Sequence, residues 1–160
     1  MSRSPIPHLL RALLFSVATL FAPALYAMGS ESPAAASRVV DPDYAAGKKA
    51  IEAKDWARAI ESLGKAAQRD AGSADIQNFL GYAYRNSGRM DLALRHYEKA
   101  LALDPKHRGA REYLGELYLM QNNLAKAEEQ RAALDNLCFF PCEELTELRE
   151  KIAAYKKNEK

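Results

Sequence analysis

The sequence has little of what catalysis and metal binding usually require. Its 160 residues include two cysteines, three histidines and one tryptophan. The cysteines stand alone, without a second Cys or His pair at zinc-site spacing. Gly47-Lys48-Lys49 lacks both the upstream glycine and the following Ser or Thr of a phosphate loop. There is no nucleophile elbow and no paired-carboxylate arrangement. His96 is expected on the outer face of a helix and His107 in a turn, both solvated and neither with a catalytic partner set. No catalytic residue, cofactor or metal ligand follows from these patterns, and the chain is read as no enzyme.

Long apolar runs are also missing. The main one, Ala12–Ala22, is eleven residues long, against the ~20 needed to cross a bilayer as a helix. Arg3 and Arg11 flank its polar start, Pro23 breaks it, and small residues follow to Ala27. That is the order of a secretory signal. The expectation is export to a bacterial periplasm, with residues 1–27 removed near Ala27 and no membrane span left; an uncleaved N-terminal anchor is the alternative. Loss of Arg3 and Arg11 leaves 21 basic against 21 acidic residues, so electrostatics give no reason to expect nucleic acid as a partner. Residues 28–39, rich in Ser, Ala, Pro and Gly, read as a flexible leader.

What the chain does have is a 34-residue period. Segments starting at Val40, Ala74 and Arg108 carry Gly47, Gly81 and Gly115 at the eighth step and Ala59, Ala93 and Ala127 at the twentieth. This period predicts a solenoid of helix pairs, with repeats 40–73, 74–107 and 108–137. In the middle copy Leu80, Ala83 and Tyr84 share one helix face, and Leu94, Tyr97 and Leu101 share another. Gly88 separates the two helices and Pro105 stops the second. Gly81, Ala93 and Ala100 are small where the helices must approach closely.

The string Leu80-Gly81-x-x-Tyr84, then Ala93, Tyr97, Ala100 and Asp104-Pro105, resembles the tetratricopeptide repeat (TPR) family. Leu114-Gly115-x-x-Tyr118 and Ala127 match in the third copy, which departs at Arg131 and Leu134, where the family prefers an aromatic and a small residue. The first copy is weaker, with Trp56 where the others have Met90 and Leu124. Asp43, Gln77 and Arg111 stand where the family has an early tryptophan. The resemblance implies an all-α fold: a TPR helix–turn–helix solenoid of three repeats. Residues 138–160 add a cysteine-containing bend and a C-terminal capping helix, with Leu145, Leu148, Ile152 and Tyr155 as its apolar stripe. Phe139 and Phe140 are expected to tuck under the bend as core, because exposed neighbouring phenylalanines favour aggregation. The ending Leu-Cys-x-x-x-Cys-Glu-Glu-x-x-x-Leu also looks like that of small exported bacterial TPR proteins.

In the family, the first helices of successive pairs line a concave groove. The resemblance therefore implies a partner-binding surface at Tyr44, Lys48, Asn78, Tyr82, Arg85, Asn86, Glu112, Glu116 and Met120. Tyrosines there offer aromatic area, and amides and guanidinium suit the backbone or carboxylate of an extended peptide. Cys138 and Cys142 fit three readings: a structural disulfide in an oxidising compartment, a redox pair with Cys142 at a helix N-terminus, or a Cu(I) site with Met120 as a conceivable further ligand. The expected function is protein or peptide binding, as scaffold, adaptor or assembly factor. Thiol-redox or copper-handling chemistry at the cysteine pair is the alternative, and a homo-oligomer built through an open end of the array is a third possibility.

Overall fold

A computed structural model describes residues 41–158. The expected signal segment, residues 1–27, and the leader, residues 28–39, lie outside the described residues. The described chain is all-α: α1 (Pro42–Glu52), α2 (Trp56–Arg69), α3 (Ala74–Asn86), α4 (Met90–Leu103), α5 (Arg108–Met120), α6 (Leu124–Leu137) and α7 (Glu143–Asn158). Each helix packs on the next in order, and α1 on α3, α3 on α5 and α5 on α7 also touch. This places the first helix of each pair along one wall, with α7 following α5 in the series.

The starts and stops are local chemistry repeated at the same period. Asp41, Asp55, Ser73 and Asn123 accept backbone N–H bonds at the starts of α1, α2, α3 and α6. At the start of α5 the cap is a histidine: His107 Nδ1 accepts from the Ala110 amide at 3.0 Å, while Nε2 lies 3.0 Å from Asp75 Oδ1. This corrects the expectation of a solvated His107. The turns inside the three pairs place Lys54, Gly88 and Asn122 in the left-handed region, at φ 56°, 80° and 57°. The repeat thus imposes one turn geometry even where lysine, which tolerates it poorly, replaces glycine.

The glycines mark where helices touch. A Cβ on Gly81 would stand 2.6 Å from the Tyr97 ring, and one on Gly47 would stand 2.5 Å from Leu63 Cγ. Leu63 and Tyr97 occupy equivalent steps of repeats one and two; the third repeat has Arg131 there. Arg131 turns away to pair with Glu128 at 2.6 Å and with Asp135, and the space beside Gly115 is filled by Leu148 of α7. Leu148 is fully buried, with Leu145 and Ile152 beside it. The cap helix therefore completes the third repeat as well as covering it. Ion pairs from Arg149 to Asp135 and from Lys156 to Glu128 tie it to α6.

The residues standing at the early-tryptophan position bind across their own pairs instead. Asp43 pairs with Arg69 at 2.5 Å, Gln77 Oε1 lies 2.8 Å from His96 Nδ1, and Arg111 donates to Gln130 at 3.2 Å. His96 is therefore half-buried, stacked on Tyr84 with ring centroids 5.1 Å apart, rather than solvated as its place in the helical period suggested. Burial, then the neighbouring Lys99 and Arg95, holds its pKa below the usual histidine value.

The bend between α6 and α7 reverses another expectation. Phe139 and Phe140 are 92% and 75% exposed, their rings edge to face at 4.9 Å. The side chains turned inward are those of Cys138 and Cys142, which pack against the cluster holding Leu145 and Leu148. With the interior filled from α7, the phenylalanines between the cysteines point out.

Candidate functional site

Along the wall made by α1, α3 and α5, aromatic rings from successive first helices meet. Tyr44 lies 5.9 Å from Phe79, and Lys48 Nζ sits 5.9 Å and 5.5 Å from their ring centroids. Further along, Tyr82 meets Tyr113 at 4.9 Å, and Trp56, from the start of α2, meets Tyr82 at 6.2 Å. The Arg85 guanidinium lies over both tyrosines, at 5.3 Å and 5.5 Å. This ladder is amphipathic surface held by packing between helices, with a cation over its faces.

Arg85 is less free than its place in the sequence implies. Only 8% of it is exposed, and Nη1 donates to Glu116 Oε2. Burial acts against its charge, but Tyr97 and Glu116 outweigh it and hold the pKa above the usual arginine value. Glu116 also accepts from Lys151 of α7. Lys151 Nζ lies 3.8 Å from Glu112 Oε1 and 3.7 Å from Glu147 Oε2. Glu112 is buried. Desolvation, a hydrogen bond with Glu147, and the Glu147 and Glu116 charges push its pKa up to about 8, against the pull of Lys151. Burial and Glu112 likewise raise Tyr113 to about 12.

The nine groove residues read from sequence divide into three groups. Tyr44, Lys48 and Tyr82 present partly or fully open side chains on this wall. Asn78, Arg85, Glu112 and Glu116 form its floor, the first three buried. Asn86 folds back, donating to the Tyr82 carbonyl at 2.8 Å, and Met120 stands exposed at the end of α5. Three floor atoms have no hydrogen-bond partner: Asn78 Oδ1, Arg85 Nε and Glu112 Oε1.

The sequence reading missed Phe79, Tyr113, Glu147 and Lys151. Phe79 and Tyr113 stand 34 residues apart, one step after Asn78 and Glu112, so the register itself could have found them. Glu147 and Lys151 lie on α7, where no repeat assigns a face.

Oxygens of Glu112, Glu116 and Glu147 come within 4.8 Å of one another, a spacing a divalent cation could bridge, but the Lys151 ammonium already lies among them. Cys138 and Cys142 are joined in the structure, with Cα atoms 5.9 Å apart. Among the described residues no helix is long and apolar enough to cross a membrane.

Comparison with known proteins agrees with this architecture. Residues 74–107 match the model of the tetratricopeptide repeat. An uncharacterized protein, ycf37, of Guillardia theta is 38% identical over 58 residues, which is 36% of this chain and 33% of that protein; the match thus spans about a third of its length. Among solved structures, the Yersinia enterocolitica type III secretion chaperone SycD in complex with a peptide of the translocator YopD superposes with a TM-score of 0.65 at 21% identity, covering 74% of this chain and 92% of that one. The TPR2B domain of yeast Sti1, in its complex with pHsp70, gives 0.66 at 16% identity, covering 72% and 94%. With the 34-residue register, the paired helices and the glycine contacts in place, residues 74–107 are a tetratricopeptide repeat and the described chain has the all-α tetratricopeptide repeat solenoid fold.

Proposed function

We propose that this protein is a binding module, a scaffold, adaptor or assembly factor, that holds an extended segment of another protein against the wall formed by α1, α3 and α5. The observation that carries this reading is the floor of that wall. Asn78 Oδ1, an acceptor, and Arg85 Nε, a donor, are buried without partners on α3, Arg85 beside the Tyr82–Tyr113 ladder and Asn78 facing the start of α5 at Gly109. Buried polar atoms are ordinarily paired, and an extended main chain supplies one donor and one acceptor per residue. Aromatic rings along the same wall provide the anchoring area typical of interface hot spots. SycD and Sti1 TPR2B, similar in fold, were solved with a peptide of YopD and with pHsp70, which supports the same use here.

The N-terminal signal pattern supports a periplasmic location, and sequencing the N-terminus of the protein recovered from cells tests it: a start near Met28 agrees, a retained Met1 does not. The Cys138–Cys142 pair is read as structural, since both side chains pack inward on the core. The test of the main reading is affinity capture from periplasmic extract with the protein and with a Lys48→Ala, Tyr82→Ala variant. Arg85 is left intact because it is buried and its removal takes away one of the two cations that pair with Glu116. A partner lost with the variant supports groove binding; one retained moves binding elsewhere on the molecule.

A further inference from the structure

The third-repeat end of the groove is built around a cation. Glu112 and Glu116 of α5 and Glu147 of α7 converge there, and Arg85, the one cation from α3, is engaged by Glu116. The remaining positive charge is Lys151, which comes from the cap helix and is 44% exposed, lying over Glu112 and Glu116 side chains that are 6% and 11% exposed. Lys151 does not complete the site. It bonds Glu116 but stands 3.8 Å from Glu112 Oε1, which has no hydrogen-bond partner. Independently of the carboxylates, Arg85, 8% exposed, keeps Nε unpaired beside Glu116, and Asn78, 4% exposed, keeps Oδ1 unpaired about two turns earlier on α3.

We propose that this end of the groove takes a basic side chain, lysine or arginine, from an extended partner segment, and that Lys151 occupies its place in the free protein. The inference rests on the groove reading above and names the chemistry of its partner. The incoming main chain pairs Asn78 Oδ1 and Arg85 Nε, and its cation reaches Glu112, Glu116 and Glu147 beside the Tyr113 ring. An acidic segment is disfavoured, because it would meet three carboxylates while the nearby cations are already committed. The groups acting on Glu112 are Glu147 and Lys151 from α7 and Glu116 from α5, with Tyr113 its neighbour; Arg85 of α3 joins the cluster through Glu116. In the free protein burial, with the neighbouring Glu147 and Glu116 carboxylates, favours the protonated form of Glu112. A basic side chain that pairs with Glu112 releases that proton, so affinity for a basic segment rises with pH through the range where Glu112 titrates.

The test is a random-peptide display selection against the protein, counter-screened on Tyr82→Ala to keep groove-dependent binders. Selected peptides are then resynthesised with norleucine in place of each Lys or Arg. The expected result is enrichment of Lys and Arg at one register, and weaker binding of the norleucine peptide. Lys151→Met should bind the basic peptide about tenfold tighter if Lys151 fills the site about 90% of the time. Circular dichroism establishes that Lys151→Met is folded, and Lys151→Gln serves as a second variant. Groove-dependent binders without basic residues overturn the proposal and leave the groove reading standing. Unchanged affinity in both Lys151 variants overturns the built-in occupant. Absence of any groove-dependent binder overturns both readings. Calcium or magnesium binding that excludes the basic peptide overturns the proposal by assigning the carboxylates to a metal.

Discussion

Leu148 is placed where the first two repeats use a residue of their own second helix, and a double-mutant cycle with Gly115 measures that substitution directly. A Cβ on Gly115 would lie 2.7 Å and 2.8 Å from the two Leu148 δ-carbons and 3.3 Å from its Cγ. Gly115→Ala alone therefore overpacks the contact. Overpacking costs about 1–3 kcal/mol, against about 1 kcal/mol regained from helix propensity, so the net change is a loss of up to about 2 kcal/mol. Leu148→Ala removes a fully buried side chain and costs about 3 kcal/mol. It also removes the three carbons that the new methyl would strike. In that background Gly115→Ala becomes neutral or stabilising by about 1 kcal/mol, which gives a coupling of about 1–3 kcal/mol. Urea denaturation of the four proteins, with m-values compared to confirm a common transition, supplies the cycle. Additivity within about 0.5 kcal/mol would refute the contact and with it the role given to α7.

Tyr97 is fully buried with its hydroxyl unpaired, so Tyr97→Phe should hold or raise stability by about 1 kcal/mol in the same assay; a loss would mean the hydroxyl has a partner. Glu112 carries a pKa raised from 4.5 to about 8, so its contribution is fully present below the unfolded value and is lost as pH rises through the folded one. Stability should fall across that window by up to about 1.4 kcal/mol per pH unit relative to Glu112→Gln, measured by thermal melts at matched ionic strength. Replacing Cys138 and Cys142 by serine should cost roughly 2 kcal/mol under oxidising conditions, and should speed amide exchange in α7 more than in α3; uniform exchange would mean the pair does not anchor the cap.

How far the sequence could be read depended on whether a residue obeyed the repeat. Gly81 and Tyr97 sit in a full copy of the pattern, and their contact appears where the register puts it. The turn at Lys54 shows the same register prevailing over local preference, since lysine adopts the backbone that Gly88 adopts readily. Arg131 was legible only as a departure; that its place is taken by Leu148 depends on a contact between segments with no periodic relation. The phenylalanines of the bend were misplaced because hydrophobicity was weighed without knowing that α7 had already filled the interior. His96 and His107 were misplaced because pattern assigns a face but not a partner, and Gln77 and Asp75 supplied partners across helices. At the site, residue types were readable and their burial was not. Glu112 and Arg85 appeared as groove surface and proved to be groove floor: α7 brings Lys151 over Glu112, and Glu116 with the Tyr82 and Tyr113 rings encloses Arg85.

The central claim is that the wall of α1, α3 and α5 is the binding surface. Amide chemical-shift mapping of the isotope-labelled protein against a captured partner segment tests it most directly. The account predicts that the largest changes fall at Lys48, Asn78, Tyr82, Arg85, Tyr113 and Lys151, with little change along α2, α4 and α6. Changes concentrated on those second helices, or on the exposed Phe139–Phe140 bend, would contradict it.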